Sequence, residues 1–363
     1  MKRRDFLKTS VIGLGSVVLG NSFVLAKDEN IRTFRVVYDF DIKNDEKIFS
    51  ARLWNPLPYN ASYQKINFLK FSGNYYDYNI NRKNNYDALT FFAKWEKSDE
   101  RKLLHIEMEI QTIYRSVDLS IIKKASKKNI PIPNDIKKFL EPTSHIPTTG
   151  KVKHLADQIT QNINDRFEKV QAIYDWVTKT TFRDPKVKGC GVGDVNKILE
   201  SGYFGGKCTD ISSLFVALLR SVGIPAREIF GIRVGKSNFS NALGKSDKNG
   251  FADISTWQHC RTEYYIPGAG WIPSDPADIT KLELVEGLKY DHPKVQELRK
   301  RYINSWEMNW IGFNYGRDFV LNPKPEIYPI NMFGYPYGEV NEDDVLNYYD
   351  PDTFNYKITS QEL

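Results

Sequence analysis

The sequence predicts an α+β protein in which a β-sandwich-like N-terminal domain precedes a domain of helices and antiparallel strands. Apolar and polar residues alternate along 34–41 and 104–114, and this period of two is typical of half-buried strands. Between residues 167 and 222 apolar residues recur every three or four positions, which predicts amphipathic helices. Strand-like segments return after residue 226, so the second half places helices before strands, as α+β folds do.

The composition is that of a globular protein with two or three domains. The chain has 363 residues, of which 41% are hydrophobic and 26% are charged. Its net charge is +6, and removing residues 1–26, which hold four basic residues and one acidic residue, leaves +3. Because phosphate binding needs a clustered basic face, this interspersed charge argues against nucleic acid as a partner.

The first 26 residues have the pattern of a twin-arginine signal peptide. Arg3 and Arg4 precede an apolar, glycine-rich run over 11–24, and Val24-Leu25-Ala26 is a small-residue cleavage pattern. An anchor helix is the alternative, but the run is shorter than the ~20 apolar residues that span a bilayer. We therefore expect the twin-arginine export machinery to be a partner, cleavage to leave no stable membrane span, and the protein to be periplasmic.

The remaining chain divides into three segments. Residues 27–140 contain the strand patterns, separated by turn-forming Asn and Gly residues, and form the predicted β-rich N-terminal domain. Residues 141–285 contain the helix and strand patterns of the predicted catalytic domain. Residues 286–363 form a C-terminal extension with 14 aromatic residues between Tyr302 and Tyr356. This apolar area is too large for a solvated tail, so we expect the extension to pack on the catalytic domain.

Cys208 is placed as a nucleophile would be. It follows Gly205-Gly206-Lys207 and lies in the first turn of the helix whose apolar face starts at Ile211. A thiol at a helix N-terminus lies near unsatisfied amides and the positive end of the dipole, which lowers its pKa. Asp210 opposes a thiolate electrostatically, although it can instead cap or orient neighbouring amides. The alternative is a buried cysteine that acts as a small hydrophobic residue.

His259 is the histidine best placed to serve as the base that a nucleophilic thiol needs. The other four lie in the N-terminal domain, in a connector or near helix starts: His105, His145, His154 and His292. On a strand over 256–266, a period of two places His259 on one face with Arg261 and Glu263, whereas Cys260 points to the other face. A structural histidine is the alternative, since a lone histidine on a strand more often has that role.

An aspartate after the next turn is expected to orient the imidazole. Residues 267–270 reverse the chain, and 271–278 return alongside the strand. A simple four-residue loop places Asp278 opposite His259, whereas a bulge or a longer loop brings Asp275 there instead. The pattern alone does not choose between the two aspartates, and either can be a turn or capping residue.

Three blocks of the second domain occur in order and with compatible spacing. They are Gly206-Lys207-Cys208-Thr209-Asp210 with the helix over 213–220 and Gly223-Ile224-Pro225-Ala226-Arg227; His259 with Glu263; and Gly270-Trp271-Ile272-Pro273-Ser274-Asp275-Pro276. Together these blocks, which cover roughly 150–280, resemble the transglutaminase-like superfamily in its bacterial branch. Upstream, 52–58 and Tyr63-Gln64 resemble the β-rich N-terminal extension of some bacterial members.

The resemblance implies a papain-like α+β core and a catalytic triad of Cys208, His259 and Asp275, and so favours Asp275 over Asp278. It implies that the thiolate attacks a peptide or carboxamide carbonyl while His259 transfers the proton. Water or an amine can then attack the thioester, so a cysteine protease or amidase and a transglutaminase remain open alternatives. The expected substrate is a peptide or protein, including cell-wall peptide, and no cofactor or metal is indicated.

Two features of the expected site are not settled by the motif. Arg261 stands where superfamily members often carry an aromatic residue, which changes either the acyl pocket or only a strand surface. The amide of Cys208 is the natural first donor of an oxyanion hole. The second donor has four candidates: Trp176, Asn196, Tyr203 and Gln258.

Three further hypotheses concern the same residues. Cys208, His259 and an aspartate could instead bind zinc, although no Cys-x-x-Cys or His-Glu-x-x-His spacing supports a zinc site. A non-catalytic periplasmic protein could keep the fold and bind peptide or cell-wall material. Finally, three cysteines cannot all pair within one chain, so a disulfide between Cys190 and Cys260 would leave Cys208 as the reduced thiol.

Overall fold

The computed structural model describes residues 8–12 and 30–363 of the chain. The strands are β1 (Lys8–Ile12), β2 (Ile31–Ile42), β3 (Phe49–Pro56), β4 (Gln64–Gly73), β5 (Asp77–Asn81), β6 (Thr90–Ser98), β7 (Lys102–Ile113), β8 (Arg115–Ser116), β9 (Phe182–Arg183), β10 (Gly205–Gly206), β11 (Ala226–Arg233), β12 (Phe251–Asp253), β13 (Gln258–Ile266), β14 (Gly270–Ser274), β15 (Ser305–Trp306), β16 (Trp310–Asn314), β17 (Arg317–Phe319), β18 (Ile330–Met332), β19 (Tyr337–Val340), β20 (Asp344–Val345) and β21 (Tyr356–Glu362). The helices are α1 (Leu119–Ser126), α2 (Asn134–Lys137), α3 (Lys151–Ile159), α4 (Arg166–Thr180), α5 (Val195–Ser201), α6 (Cys208–Ser221), α7 (Ala277–Glu286), α8 (Pro293–Tyr302) and α9 (Pro351–Phe354).

The predicted export signal lies outside the described residues, apart from β1, which pairs antiparallel with β4. No helix within residues 8–12 or 30–363 is long and apolar enough to cross a membrane.

Two antiparallel sheets share one core in the N-terminal part of the chain. One sheet has the order β1-β4-β7-β2-β21-β12 and the other has the order β20-β19-β3-β6-β5. The period-two pattern of β2 buries Phe34, Val36, Tyr38 and Phe40, which pack with buried residues of the second sheet such as Leu53. The predicted β-rich, sandwich-like region is therefore present, because each sheet has an apolar face that packs against the other.

The second half contains a four-stranded antiparallel sheet with helix α6 packed on it. The strand order is β14-β13-β11-β16, and α6 contacts both central strands, β13 and β11. Helix α6 is buried on nearly all sides, because other elements enclose it. Helices α3, α4 and α5 also contact α6 and complete this core.

The C-terminal extension divides between the two halves of the molecule. Strand β16 joins β11 in the four-stranded sheet of the second half. Strand β21, however, pairs with β2 over seven positions, and β19 pairs with β3. The expected placement on one domain alone was therefore incomplete, because these strands cover edges of β2 and β3 that would otherwise expose unpaired backbone groups.

A buried arginine joins the extension to the second half of the chain. The Arg317 Nε donates a hydrogen bond to Glu228 at 2.9 Å, and its Nη2 donates to the Ser213 hydroxyl at 2.5 Å. A third bond, from Nη1 to the Val192 carbonyl, measures 3.1 Å. Because Arg317 and Glu228 are only 3% and 2% exposed, each charge depends on the other for compensation.

We expect Arg317→Met to lower the free energy of unfolding by about 3 kcal/mol, since it leaves the Glu228 carboxylate buried without its partner. Urea unfolding measures the change. The control is Arg301→Met, which removes an exposed pair with Glu297 at 3.3 Å and should cost less than about 0.5 kcal/mol. Equal losses in the two variants would show that the buried pair does not fix the extension.

Candidate active site

The start of α6 is fixed by the Asp210 carboxylate. It accepts hydrogen bonds from the backbone N–H of Lys207 at 2.9 Å, Val192 at 3.1 Å and Gly193 at 2.8 Å. Burial nevertheless raises the pKa of Asp210 above its ordinary value. The structure thus confirms that this residue orients neighbouring amides, and its carboxylate connects the glycine-rich segment 189–193 to the turn that carries Cys208.

The glycine-rich segment passes too close to α6 for side chains. Gly191 has a φ of +86°, and a Cβ on it would lie 1.9 Å from a carboxylate oxygen of Asp210. Gly193 has a φ of +72°, and a Cβ there would lie 2.2 Å from the Ser213 hydroxyl. Only glycine tolerates both the left-handed backbone and this approach, so the segment is required by the close packing around Cys208.

The Cys208 sulfur lies in a group of polar side chains beneath the protein surface. Its residue is 2% exposed, and the sulfur is 4.0 Å from the backbone oxygen of Cys190. Hydrogen bonding by the Cys190 and Cys260 thiols and by His259 outweighs burial and holds the pKa of Cys208 well below the ordinary thiol value. These groups favour a thiolate at Cys208, which is the nucleophilic form of cysteine.

The other two cysteines are free thiols, so the hypothesis of a disulfide between Cys190 and Cys260 was wrong. Both interact with Cys208, and each has a hydrogen-bond partner of its own. The Cys190 thiol lies 3.1 Å from the Gln258 carbonyl, and the Cys260 sulfur lies 3.6 Å from the Thr209 hydroxyl. Contact with Cys208 and burial raise the pKa values of Cys190 and Cys260, which therefore remain protonated.

The imidazole of His259 is held by Asp275. His259 Nε2 and Asp275 Oδ2 are 2.8 Å apart, and both residues are buried. This bond leaves Nδ1 as the ring nitrogen that can face the sulfur. The Trp310 indole N–H donates to the His259 carbonyl at 2.8 Å and fixes the strand at this point.

Asp275 reaches His259 in a way that the pattern did not predict. Strands β13 and β14 pair Ile266 with Gly270 and Thr262 with Ser274, so the loop is one residue shorter than expected and has no bulge. Strand β14 ends at Ser274, and the chain turns into α7. Asp275 therefore approaches His259 from the strand-to-helix turn.

Asp278 lies beside the same imidazole but has a different principal partner. Its Oδ1 is 3.6 Å from His259 Nε2 and accepts a hydrogen bond from Arg233. Burial opposes ionisation, but Arg233 and His259 hold the pKa of Asp278 well below its ordinary value. For His259 itself, burial and Arg233 lower the pKa, whereas Asp275 and Asp278 outweigh them and leave it raised. The pair of carboxylates thus favours an imidazolium.

Sequence reasoning missed the role of Arg261. It is 1% exposed, and its Nε lies 3.4 Å from Asp275 Oδ2. Its Nη1 donates to the Glu307 carbonyl at 2.7 Å, and its Nη2 donates to Asn309 at 3.1 Å. The period of two had placed Arg261 on the same face as His259, and that was the signal that it belongs to the site rather than to a strand surface.

One group of potential metal ligands occurs in the described part of the chain: His259, Asp275 and Asp278, whose ligand atoms lie within 4.8 Å of one another. Cys208 is not a member of this group, contrary to the zinc hypothesis. Each carboxylate already pairs with a guanidinium, Asp275 with Arg261 and Asp278 with Arg233. The carboxylate charge is therefore compensated by protein cations, and these residues do not fit a cation site.

The four candidate oxyanion donors have other contacts. The Trp176 ring packs on Phe204 with centroids 5.4 Å apart, and Asn196 is exposed on α5. The Tyr203 hydroxyl donates to Asp184 at 3.0 Å, and Gln258 Nε2 donates to the Ser255 carbonyl at 3.2 Å. The N–H of Thr209 donates to the Cys190 carbonyl at 2.9 Å, whereas Cys208 is the first residue of α6, where a backbone N–H has no intrahelical acceptor.

The other histidines lie apart from this group. His105, on β7, pairs with Asp39 on β2. His145 lies 2.7 Å from the Ser144 hydroxyl, and His292 accepts a hydrogen bond from Lys294 N–H. His154 lies in α3. Among the residues described, His259 is therefore the histidine that the fold brings to Cys208.

Comparison with known proteins supports the sequence resemblance. A family model described as the transglutaminase-like superfamily matches residues 153–276, which include Cys208, His259 and Asp275. An uncharacterized protein of Haemophilus influenzae is 41% identical over 343 residues, which cover 93% of this chain and 92% of that protein. The uncharacterized protein YebA of Bacillus subtilis is 30% identical over 135 residues, 35% of this chain and 17% of YebA.

A solved structure extends the likeness to the fold of nearly the whole chain. The crystal structure of a candidate cysteine protease from Cytophaga hutchinsonii has a TM-score of 0.52 at 17% identity. The alignment covers 92% of this chain and 99% of that chain. The predicted fold class, a transglutaminase-like core of helices and antiparallel sheet after a β-rich region, is confirmed.

We expect iodoacetamide at neutral pH to alkylate Cys208 and to spare Cys190 and Cys260, whose pKa values are raised. In His259→Ala the rate at Cys208 should fall roughly tenfold or more, because the imidazolium no longer stabilises the thiolate. Peptide mapping by mass spectrometry assigns the modified thiol. Equal labelling of all three cysteines, or an unchanged rate in the variant, would contradict the proposed pairing of sulfur and imidazole.

Asp275→Asn and Asp278→Asn should differ in effect. Asp275→Asn removes the carboxylate bonded to His259, so the imidazole titration should move to lower pH, as followed by NMR of the ring protons that disappear in His259→Gln. Asp278→Asn should instead lower the free energy of unfolding by about 3 kcal/mol, because Arg233 is left buried without its partner. If Asp278→Asn shifted the imidazole titration more than Asp275→Asn does, Asp278 would be the orienting residue.

Proposed function

The chain belongs to one family with the Haemophilus influenzae protein and carries a transglutaminase-like domain, and we propose that it is an exported cysteine enzyme acting on peptide or carboxamide bonds. The observation that carries this proposal is the convergence of a low-pKa thiol at Cys208 with the bonded pair His259 and Asp275. A thiol, a base and an orienting acid are the groups that nucleophilic acyl transfer requires.

In the proposed reaction the Cys208 thiolate attacks the carbonyl carbon, and its electron pair forms the new C–S bond. The carbonyl π electrons move to the oxygen, where the unpaired N–H of Cys208 is placed to donate. When the tetrahedral intermediate collapses, His259 gives its proton to the leaving nitrogen. The C–N bond breaks, an amine or ammonia departs, and a thioester remains on Cys208. Asp275 keeps the imidazole in the required orientation throughout.

The thioester has two chemical fates. Attack by water releases a carboxylic acid and completes hydrolysis, with neutral His259 accepting the proton of the water. Attack by a primary amine forms a new amide and completes transfer. Both fates regenerate the same thiol and imidazole, so the identity of the second substrate decides between a protease or amidase and a transglutaminase.

Export is supported by the N-terminal twin-arginine pattern, and it places the substrates outside the cytoplasm. In that compartment peptides, proteins and cell-wall peptide offer the bonds that this chemistry needs. We therefore propose a periplasmic peptide or protein, with cell-wall peptide included, as the acyl donor.

One observation favours a second candidate, a periplasmic binding protein that keeps the fold without turnover. Cys208 and His259 are 2% and 3% exposed, which leaves little room for a substrate carbonyl at the sulfur. A catalytic protein must open this region when substrate binds, whereas a binding protein need not.

Mass spectrometry of reactions run in heavy-oxygen water, with and without an added primary amine, should separate these functions. Wild-type protein is incubated with periplasmic peptides and cell-wall fragments, and Cys208→Ala should abolish every product. The matched control is Ser221→Ala, at the far end of α6, which should retain activity. Heavy oxygen in a new carboxyl group indicates hydrolysis, and an added amine mass indicates transfer. Retention of peptide without either product would favour the binding protein.

A further inference from the structure

Three basic side chains surround the start of α6, and the proposed reaction uses none of them. Lys207 immediately precedes Cys208. Arg183 lies on β9, where the parallel pairing with β10 places it opposite Gly206, two residues before the nucleophile. Lys281 lies on α7, one helical turn after Asp278 and therefore on the same face, and α7 packs against β9. Three separate elements thus bring these cations near Cys208.

None of the three cations forms an ion pair with a carboxylate of residues 30–363. The neighbouring acids are already occupied. Asp278 pairs with Arg233, and Asp210 accepts three backbone N–H groups. Asp184, which follows Arg183, accepts hydrogen bonds from the Lys186 N–H at 2.9 Å and from the Tyr203 hydroxyl at 3.0 Å.

The pKa values of the two lysines are lowered by burial and by neighbouring positive charges. Burial, reinforced by Arg183 and partly offset by Cys190, Cys208 and Asp184, lowers the pKa of Lys207. Burial, reinforced by Arg233 and partly offset by Asp278, lowers the pKa of Lys281 to about 7. All three side chains are half-buried, so water reaches them only in part. Half-buried cations that lie near one another and have no carboxylate within ion-pair distance can accept an anion from solution.

We propose that Arg183, Lys207 and Lys281 form a subsite for a carboxylate of the acyl donor, so that the protein acts on acidic peptides. This inference rests on the proposed function, because it names the substrate class of that same site. A carboxylate bound at this subsite would pair with cations that have no carboxylate partner in the protein, and it would bring the neighbouring carbonyl toward the Cys208 sulfur. Binding of the acidic group would then increase the affinity for the substrate and would orient the bond to be broken.

An alternative role for these cations is to stabilise the Cys208 thiolate without binding substrate. The two roles separate in a comparison of iodoacetate with iodoacetamide, which alkylate the same sulfur but differ in charge. Both alkylation rates are proportional to the fraction of Cys208 that is thiolate, so this fraction cancels in their ratio. The ratio therefore reports only whether the site favours or disfavours a reagent with a carboxylate next to the reacting carbon. Iodoacetate therefore serves as the probe for the proposed subsite.

The experiment measures both alkylation rates at Cys208 in the full-length protein at low ionic strength, with free cysteine as the reference. The iodoacetate-to-iodoacetamide ratio should exceed that of free cysteine in the wild type. Lys281→Gln and Arg183→Gln should each lower the ratio by about two- to fivefold, as expected for one unit charge removed near the sulfur. High salt should shrink the wild-type excess, since it screens charges over a few ångströms.

Lys300→Gln is the matched control, because it removes one positive charge from an exposed position on α8 and should leave the ratio unchanged. Lys207→Gln supplies a third variant should either of the first two fail to fold, as judged by circular dichroism. A ratio equal to that of free cysteine, or a ratio that none of these subsite variants lowers, would overturn the proposed subsite while the proposed function stands. If neither reagent modifies Cys208, the proposed function fails and the subsite fails with it.

Discussion

The packing of the first turn of α6 against strand β13 is the contact on which the proposed chemistry depends. Cys208 and His259 lie on different elements, and only this contact brings them together. A carboxylate fixes each of the two elements in this contact. Asp210 fixes the start of the helix through three backbone hydrogen bonds, and Asp275 fixes the imidazole through one bond of 2.8 Å. Because α6 is enclosed by the sheet and by other helices, its first turn cannot shift without disturbing the core. The reacting groups are thus oriented before any substrate binds.

Buried charge compensation accounts for much of the rigidity around this contact. Asp278 pairs with Arg233, Asp275 with Arg261, and Glu228 with Arg317, and these pairs connect the sheet to α7 and to the C-terminal extension. Breaking such a pair leaves a desolvated charge, which is far more costly than losing an exposed pair. The extension therefore does more than cover the helices and the four-stranded sheet of the second half. It supplies Arg317 and strand β16 there, and it also completes both sheets of the N-terminal sandwich.

The layout of the fold could be predicted because period-two strands and amphipathic helices depend on local pattern. The pairing of Cys208 with His259 rested instead on the position of Cys208 at a helix start, on the exclusion of the other histidines and on the family resemblance. The predicted register of β13 and β14 was wrong by one residue, because the alternation of apolar and polar residues does not determine the length of the loop between two strands. The predicted pairing of residues therefore could not select Asp275. Strand β21 pairs with β2 more than 300 positions away along the chain, a contact that local periodicity does not encode. The three cations near Cys208 are also far apart in sequence, so the sequence alone could not predict that they lie close together.

The central claim is that Cys208 carries a thiolate stabilised by His259, and ultraviolet absorbance of the thiolate tests it most directly. The pH titration of the wild type minus that of Cys208→Ser isolates one sulfur, because Cys190 and Cys260 have raised pKa values and stay protonated at acidic pH. We predict an absorbance step at a pH well below about 8.5, the ordinary range of a free cysteine. A step at or above that range would contradict the claim, since Cys208 would then be a buried neutral thiol without a partner base.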